Sequence, residues 1–169
     1  MTIDVSAILK ELGGKIAVNG YVELGDTDFL GETYGFSEPV KVQGDISNNG
    51  KSLILKAECT GSMKTRCARC MKEINVPIEF TLDENLIQGD DGNAYDDDVI
   101  VFDGTQVDID EIVADGFLMN VDGKYLCQED CRGLCPECGA DLNEGDCGCN
   151  MDTIDPRWEG LLDIMKNNE

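Results

Sequence analysis

Apolar and polar residues alternate with a period of two through much of the first hundred positions, the signature of strands with one face turned to a core. Five runs carry it: "KIAVNGYVEL" (15–24), "EPVKVQGDI" (38–46), "SLILKAECTGSM" (52–63), "INVPIEFTL" (74–82) and "DVIVFD" (98–103). In the third, Leu53, Leu55, Ala57 and Cys59 share one face and Lys56, Glu58 and Thr60 the other. Short polar turns such as "SNNGK" (47–51) join successive runs and predict antiparallel pairing, while "GDTDFLGETYGFS" (25–37) reads as a glycine-rich connection. Three stretches change to a helical period. Asp4 caps a short helix with Val5, Ile8, Leu9 and Leu12 on one face, stopped by Gly13 and Gly14. Asp108 and Glu111 form a capping box ahead of Ile109, Ile112, Val113 and Phe117. Asp155 and Pro156 open a last helix bearing Trp158, Leu161, Leu162 and Met165. The fold class expected is α+β: an antiparallel sheet or partly open β-barrel with a few short helices.

Both periods fail in two places. Residues 87–98, "IQGDDGNAYDDD", hold five aspartates without an apolar repeat and are expected to form an exposed acidic loop; the ligand spacing of an EF-hand is missing. Residues 127–155 carry few large apolar side chains, chiefly Leu134, Leu142, Met151 and Ile154, too few for a core of their own. Two units are therefore expected: an α+β domain over 1–126, and a Cys-rich zinc-knuckle module with the C-terminal helix over 127–169.

What replaces a core in the second unit is read from the cysteines, nine in all. Cys59 continues an apolar strand face and is expected to be a small buried hydrophobe. The other eight form close pairs, which in a reducing compartment are more often metal ligands or redox groups than disulfides. "CPECG" sets Cys135 and Cys138 on a knuckle turn, and "CGC" offers Cys147 and Cys149 from one side of an extended segment. Together they make a four-thiolate Zn2+ site. A second quartet is a candidate, Cys67 and Cys70 of "CARC" with Cys127 and Cys131 of "CQEDC", so one zinc is expected and two are allowed. The alternative is a thiol redox pair at Cys67 and Cys70, since C-x-x-C is also the oxidoreductase spacing and Arg66 and Arg69 would depress the thiol pKa. Against it, that motif belongs at a helix N-terminus, and here both flanks read as strands.

Charge then narrows the partners. Against 13 basic residues stand 35 acidic ones, a net charge of −22 over 169 residues. Such a surface repels nucleic acid in general, because affinity for phosphates rests on Lys and Arg. It either suits basic proteins or serves solubility. A local exception surrounds the "CARC" turn, where Lys64, Arg66, Arg69 and Lys72 mark a candidate contact for RNA or a partner. The sequence has no histidine, the commonest acid-base residue, and no catalytic constellation stands out, so no enzyme activity and no small-molecule substrate are expected. No apolar run is long enough to span a membrane, and "MTIDVSAILKELGGK" lacks the basic start of a secretion signal, so a cytoplasmic protein is expected.

"CARC" after a strand, the acidic loop, "VDIDEIV", "LCQEDCRGLCPECGADLN", "CGC" and "DPRWEGLLDIMK" together resemble the YceD-like family, the large ribosomal RNA subunit accumulation proteins. The resemblance spans nearly the whole chain. It implies a cytoplasmic bacterial factor needed for normal levels of large-subunit rRNA, often encoded beside a small zinc-bearing ribosomal protein. It carries the C-x-R-C element onto Cys67, Arg69 and Cys70 and the knuckle onto Cys135 and Cys138. The chain departs from the family in lacking a proline before Cys127. The function expected is a non-enzymatic, acidic, zinc-stabilised factor in large-subunit biogenesis, binding a basic ribosomal protein or an rRNA precursor.

Overall fold

A computed structural model describes residues 1–29, 31–89 and 99–149. Nine strands and one helix lie among them: β1 (Thr2–Asp4), β2 (Lys15–Val22), β3 (Thr27–Phe29), β4 (Glu32–Phe36), β5 (Val40–Asn48), β6 (Leu53–Arg66), β7 (Glu73–Gln88), β8 (Val99–Phe102), β9 (Gln106–Asp108) and α1 (Ile109–Asn120). The spine is the β6–β7 hairpin, whose antiparallel register runs from Leu53 opposite Leu86 to Arg66 opposite Glu73. The other edge of β6 is shared, β5 covering its first half and β4 pairing at Lys64 and Met63. Antiparallel β2 continues the sheet beyond β5, and β8 joins β7 in parallel. Among the described residues β2 and β8 do not pair with each other, so the mostly antiparallel sheet is open and not closed into a barrel. Pro77, which has no N–H to donate, sits in the part of β7 that β8 does not reach.

Alternation decides which face is covered. Leu53, Leu55, Ala57, Cys59 and Met63 of β6 point inward with Val40, Val42 and Ile46 of β5 and Phe80, Leu82 and Leu86 of β7. Across this face lies α1, burying Ile109, Ile112, Val113 and Phe117. The Phe117 ring meets Phe36 edge-on at 4.9 Å and Tyr34 at 5.9 Å, geometry that aromatic quadrupoles favour. Asp108 caps the helix as expected, accepting the Asp110 N–H at 3.0 Å.

Four expectations change. Residues 5–12 form successive turns instead of a helix. Asp4 accepts the Ser6 N–H at 2.9 Å in the manner of a cap, but the Asn48 amide donates to the Ile8 and Leu9 carbonyls, and Gly13 N–H turns to the Asn48 carbonyl at 2.8 Å. Those acceptors and that donor are what another helical turn needs. The glycine-rich connection contains the β3–β4 hairpin, and β7 runs on to Gln88, so Ile87 and Gln88 belong to a strand rather than to the acidic loop. Residues 90–98 of that loop, and the expected helix from Asp155, lie outside the described residues. Of the few short helices expected, α1 is the one among the described residues.

Candidate metal centres

The turn between β6 and β7, residues 67–72, carries the first cysteine pair. Cys67 N–H donates to the Lys72 carbonyl and Met71 N–H to the Cys67 carbonyl, each at 2.9 Å, closing a tight knuckle with Met71 at φ 60°. After α1 the chain returns here, and Ala68 N–H donates to the Tyr125 carbonyl at 2.8 Å, setting Cys127 and Cys131 opposite the turn. Cys67 Sγ lies 3.7 Å from Cys131 Sγ and Cys70 Sγ 3.6 Å from Cys127 Sγ, and all four sulfurs fall within 4.8 Å of one another. Thiolates at about 2.3 Å from a tetrahedral zinc stand about 3.8 Å apart, whereas a disulfide needs about 2.05 Å. The donor set fits a tetrahedral metal, and all nine cysteines are free.

The second quartet is local. Cys135 N–H donates to the Ala140 carbonyl and Gly139 N–H to the Cys135 carbonyl, both at 2.8 Å, with Gly139 in the left-handed region at φ 74°. Cys135, Cys138, Cys147 and Cys149 again bring their sulfurs within 4.8 Å. Exposure separates the two groups: Cys67, Cys70 and Cys131 are buried, while in the local quartet Cys138 is exposed and Cys147 and Cys149 partly so.

Protonation follows the surroundings. Burial pushes the Cys67 thiol up, but the N–H groups of Cys70, Cys127 and Arg69 aimed at its sulfur outweigh this and bring it down to about 6. Its neighbour Cys127 is pushed up to about 12, by burial first and then by hydrogen bonds with the Cys131 and Cys70 thiols. The local quartet repeats the pattern. N–H groups of Cys138 and Glu137 lower Cys135 to about 7, and bonds with the Cys138 and Cys147 thiols raise Cys149 to about 12. Four thiols this close cannot all ionise unless a cation offsets their repulsion.

The basic residues of the turn sit in different settings. Arg69 donates from its guanidinium to the Cys131 carbonyl at 2.8 Å and so ties down the returning segment. Lys64 and Arg66 line an open groove of about 560 Å³ with Asp26, Glu32, Met71 and Glu73. Among the described residues Lys64, Arg66 and Lys72 make no ion pair. Two residues that sequence reasoning passed over complete the site. Gly133 holds φ at 77°, and a Cβ there would stand 3.0 Å from the Arg69 carbonyl. Asn143 places its amide 3.4 Å from Cys131 Sγ. The one hint was "ADLN", with Asp and Asn two apart in a turn.

The model of the family described as "Large ribosomal RNA subunit accumulation protein YceD" matches residues 55–165, about two thirds of the chain, taking in the β6–β7 turn and both quartets. The chain belongs to the YceD family. Within curated proteins it is similar to an uncharacterized protein of Mycobacterium tuberculosis, 28% identical over 102 residues that cover 59% of this chain and 49% of that protein. An uncharacterized protein of Mycobacterium leprae is 24% identical over 131 residues, 75% of this chain and 59% of that protein. The chain thus spans about half the length of the first of these relatives. No solved structure matches it significantly. The YceD match covers the long-range quartet as well as the local one, so the whole cysteine frame lies inside the family's own span.

Proposed function

We propose that this YceD-family protein serves large ribosomal RNA subunit accumulation in the cytoplasm as a binding protein rather than an enzyme, with zinc held in both cysteine quartets. The family match over residues 55–165 carries this reading. Two further observations support it. Four thiolates fill a tetrahedral zinc and leave no position for a substrate, which suits a structural metal. When bound, zinc supplies cross-links that hold residues 127–149 to the β6–β7 turn, in place of a core. The module proposed to begin at Cys127 would thus be sewn to the sheet domain by cysteines from both, Cys67 and Cys70 on one side and Cys127 and Cys131 on the other.

Charge favours a basic ribosomal protein as the partner, since a net charge of −22 repels RNA and speeds encounters with cations. Lys64, Arg66 and Lys72 are the residues through which an rRNA precursor would be touched. The competing reading, a thiol redox protein using Cys67 and Cys70, has two features against it. Cys67 has no exposed surface, and the pair sits in a turn between antiparallel strands where, among the described residues, no helix begins.

Capture from a native lysate with the tagged full chain tests the proposal. Enrichment of large-subunit ribosomal proteins, lost at high salt, is the expected result. Recovery of rRNA precursors that survives removal of those proteins but fails with Arg66→Glu would move the contact to RNA. Recovery of neither, together with unchanged large-subunit rRNA in cells lacking the protein, would overturn it.

A further inference from the structure

The two quartets are joined by three residues, Arg132, Gly133 and Leu134, and this link is gripped from both ends. On the sheet side the Arg69 carbonyl accepts the Leu134 N–H at 3.2 Å, while the Arg69 guanidinium holds the Cys131 carbonyl. From the local knuckle, Leu142 N–H donates to the Gly133 carbonyl at 2.9 Å, and beside it Asn143 reaches back. The Asn143 side-chain oxygen accepts the Arg132 N–H at 2.8 Å and faces the Gln128 amide at 3.4 Å. Its amide nitrogen donates to the Asp141 carboxylate at 2.6 Å and to Cys131 Sγ at 3.4 Å. Chemistry fixes this orientation: the Arg132 backbone N–H only donates, so a flipped amide would turn a donor toward it and its oxygen toward the Asp141 carboxylate.

We propose that Asn143 is a positioning residue that couples the two metal centres, by fixing an N–H···S bond on Cys131 of the long-range site from within the loop of the local one. The inference rests on the reading of both quartets as zinc sites. A four-thiolate zinc centre has a net charge of −2, from 4 × (−1) + 2, and a donor aimed at one sulfur withdraws charge and keeps that thiolate ligated. Asn143 stands in the segment between Cys138 and Cys147 that the local metal closes into a loop. Opening that loop withdraws the donor from Cys131. By linkage the effect is mutual, so an intact long-range site also tightens the local one.

Zinc release from the natively purified full chain to a chromogenic chelator, with cobalt-loaded samples alongside, tests this. Cys138→Ser, which keeps only the long-range metal, assigns the release phases. Asn143→Asp retains the oxygen for the Arg132 N–H but has no N–H for sulfur, and Asn143→Ala removes the donor without adding charge. Both are expected to bind two metals, to release the long-range zinc roughly 10- to 100-fold faster than wild type, and to shift the thiolate-to-cobalt charge-transfer band. Adding Asn143→Ala to Cys138→Ser should accelerate that release little further, because both act through the same bond. Wild-type release with an unmoved cobalt band in Asn143→Ala, or fully additive effects in the double variant, would overturn the coupling while leaving both zinc sites standing. A wild-type chain that holds no zinc would overturn the metal reading and the coupling with it.

Discussion

Cys59 shows what burial alone does to a thiol in this protein. Its strand partners are Val42 on β5 and Phe80 on β7, it has no exposed surface, and desolvation pushes its pKa up to about 11. The folded value lies above the unfolded one, about 8.5 for a free cysteine. The neutral thiol therefore contributes stability that is complete below about pH 8.5 and is lost as pH rises through about 11. Denaturant midpoints measured from about pH 7 to pH 11 should fall more steeply for wild type than for Cys59→Ala, whose neutral-pH loss is about 1 kcal/mol from the missing sulfur. Parallel curves would show that Cys59 does not titrate with unfolding. This residue was legible in advance because an unbroken period of two put it on the buried face of β6. Arg69 was not: its charge invites a surface role, and only the tertiary return of Cys131 shows its guanidinium bonded to backbone.

Among the elements, α1 depends on one close approach. A Cβ at Gly116 would stand 2.3 Å from Leu82 Cδ2 on β7, and the next residue inserts the ring that Tyr34 and Phe36 meet edge-on. Glycine within a helix costs about 1 kcal/mol against alanine; its position here lets Phe117 reach the sheet. Gly116→Val should lower thermal stability even though valine has the better helix propensity, and Phe117→Ala should cost about 3–5 kcal/mol. A Gly116→Val variant as stable as wild type would mean that α1 can ride higher on β7. Periodicity revealed β6, β7 and α1 because each offers several turns or pleats of consistent pattern. It missed the β3–β4 hairpin, where three- and five-residue strands give too few alternations and Gly35 interrupts the second. It also misread residues 5–12, whose apolar spacing is helical but whose carbonyls are taken by Asn48. The local cysteine quartet was visible from spacing, and the long-range one in outline. Asn143 was not, because its role depends on two loops meeting.

Across the whole molecule, apolar packing and cysteine clustering occupy different regions. The main core runs from Val5 to Phe117, whereas the second buried cluster consists of Cys67, Cys70 and Cys131 with Cys127 against it. Of the large apolar residues between 127 and 149, Leu142 is buried and Leu134 is 37% exposed. The metal coordination proposed here, worth about 10 kcal/mol or more for a structural zinc site, would therefore have little apolar packing to assist it there, while the sheet has its own core. Two zincs per chain are expected by elemental analysis, falling to one in Cys135→Ser, and a strong chelator should strip them without melting the sheet. In hydrogen exchange, amides of 127–149 and of the β6–β7 turn, such as Ala68 and Leu134, should then lose protection, and those of β5 and the middle of β6 should keep it. Loss of protection throughout would mean that the long-range site is part of the fold's single cooperative unit. No loss anywhere would mean that hydrogen bonds such as Ala68 to Tyr125 and Arg69 to Cys131 hold the module unaided, and the cysteines would then need another reason to converge.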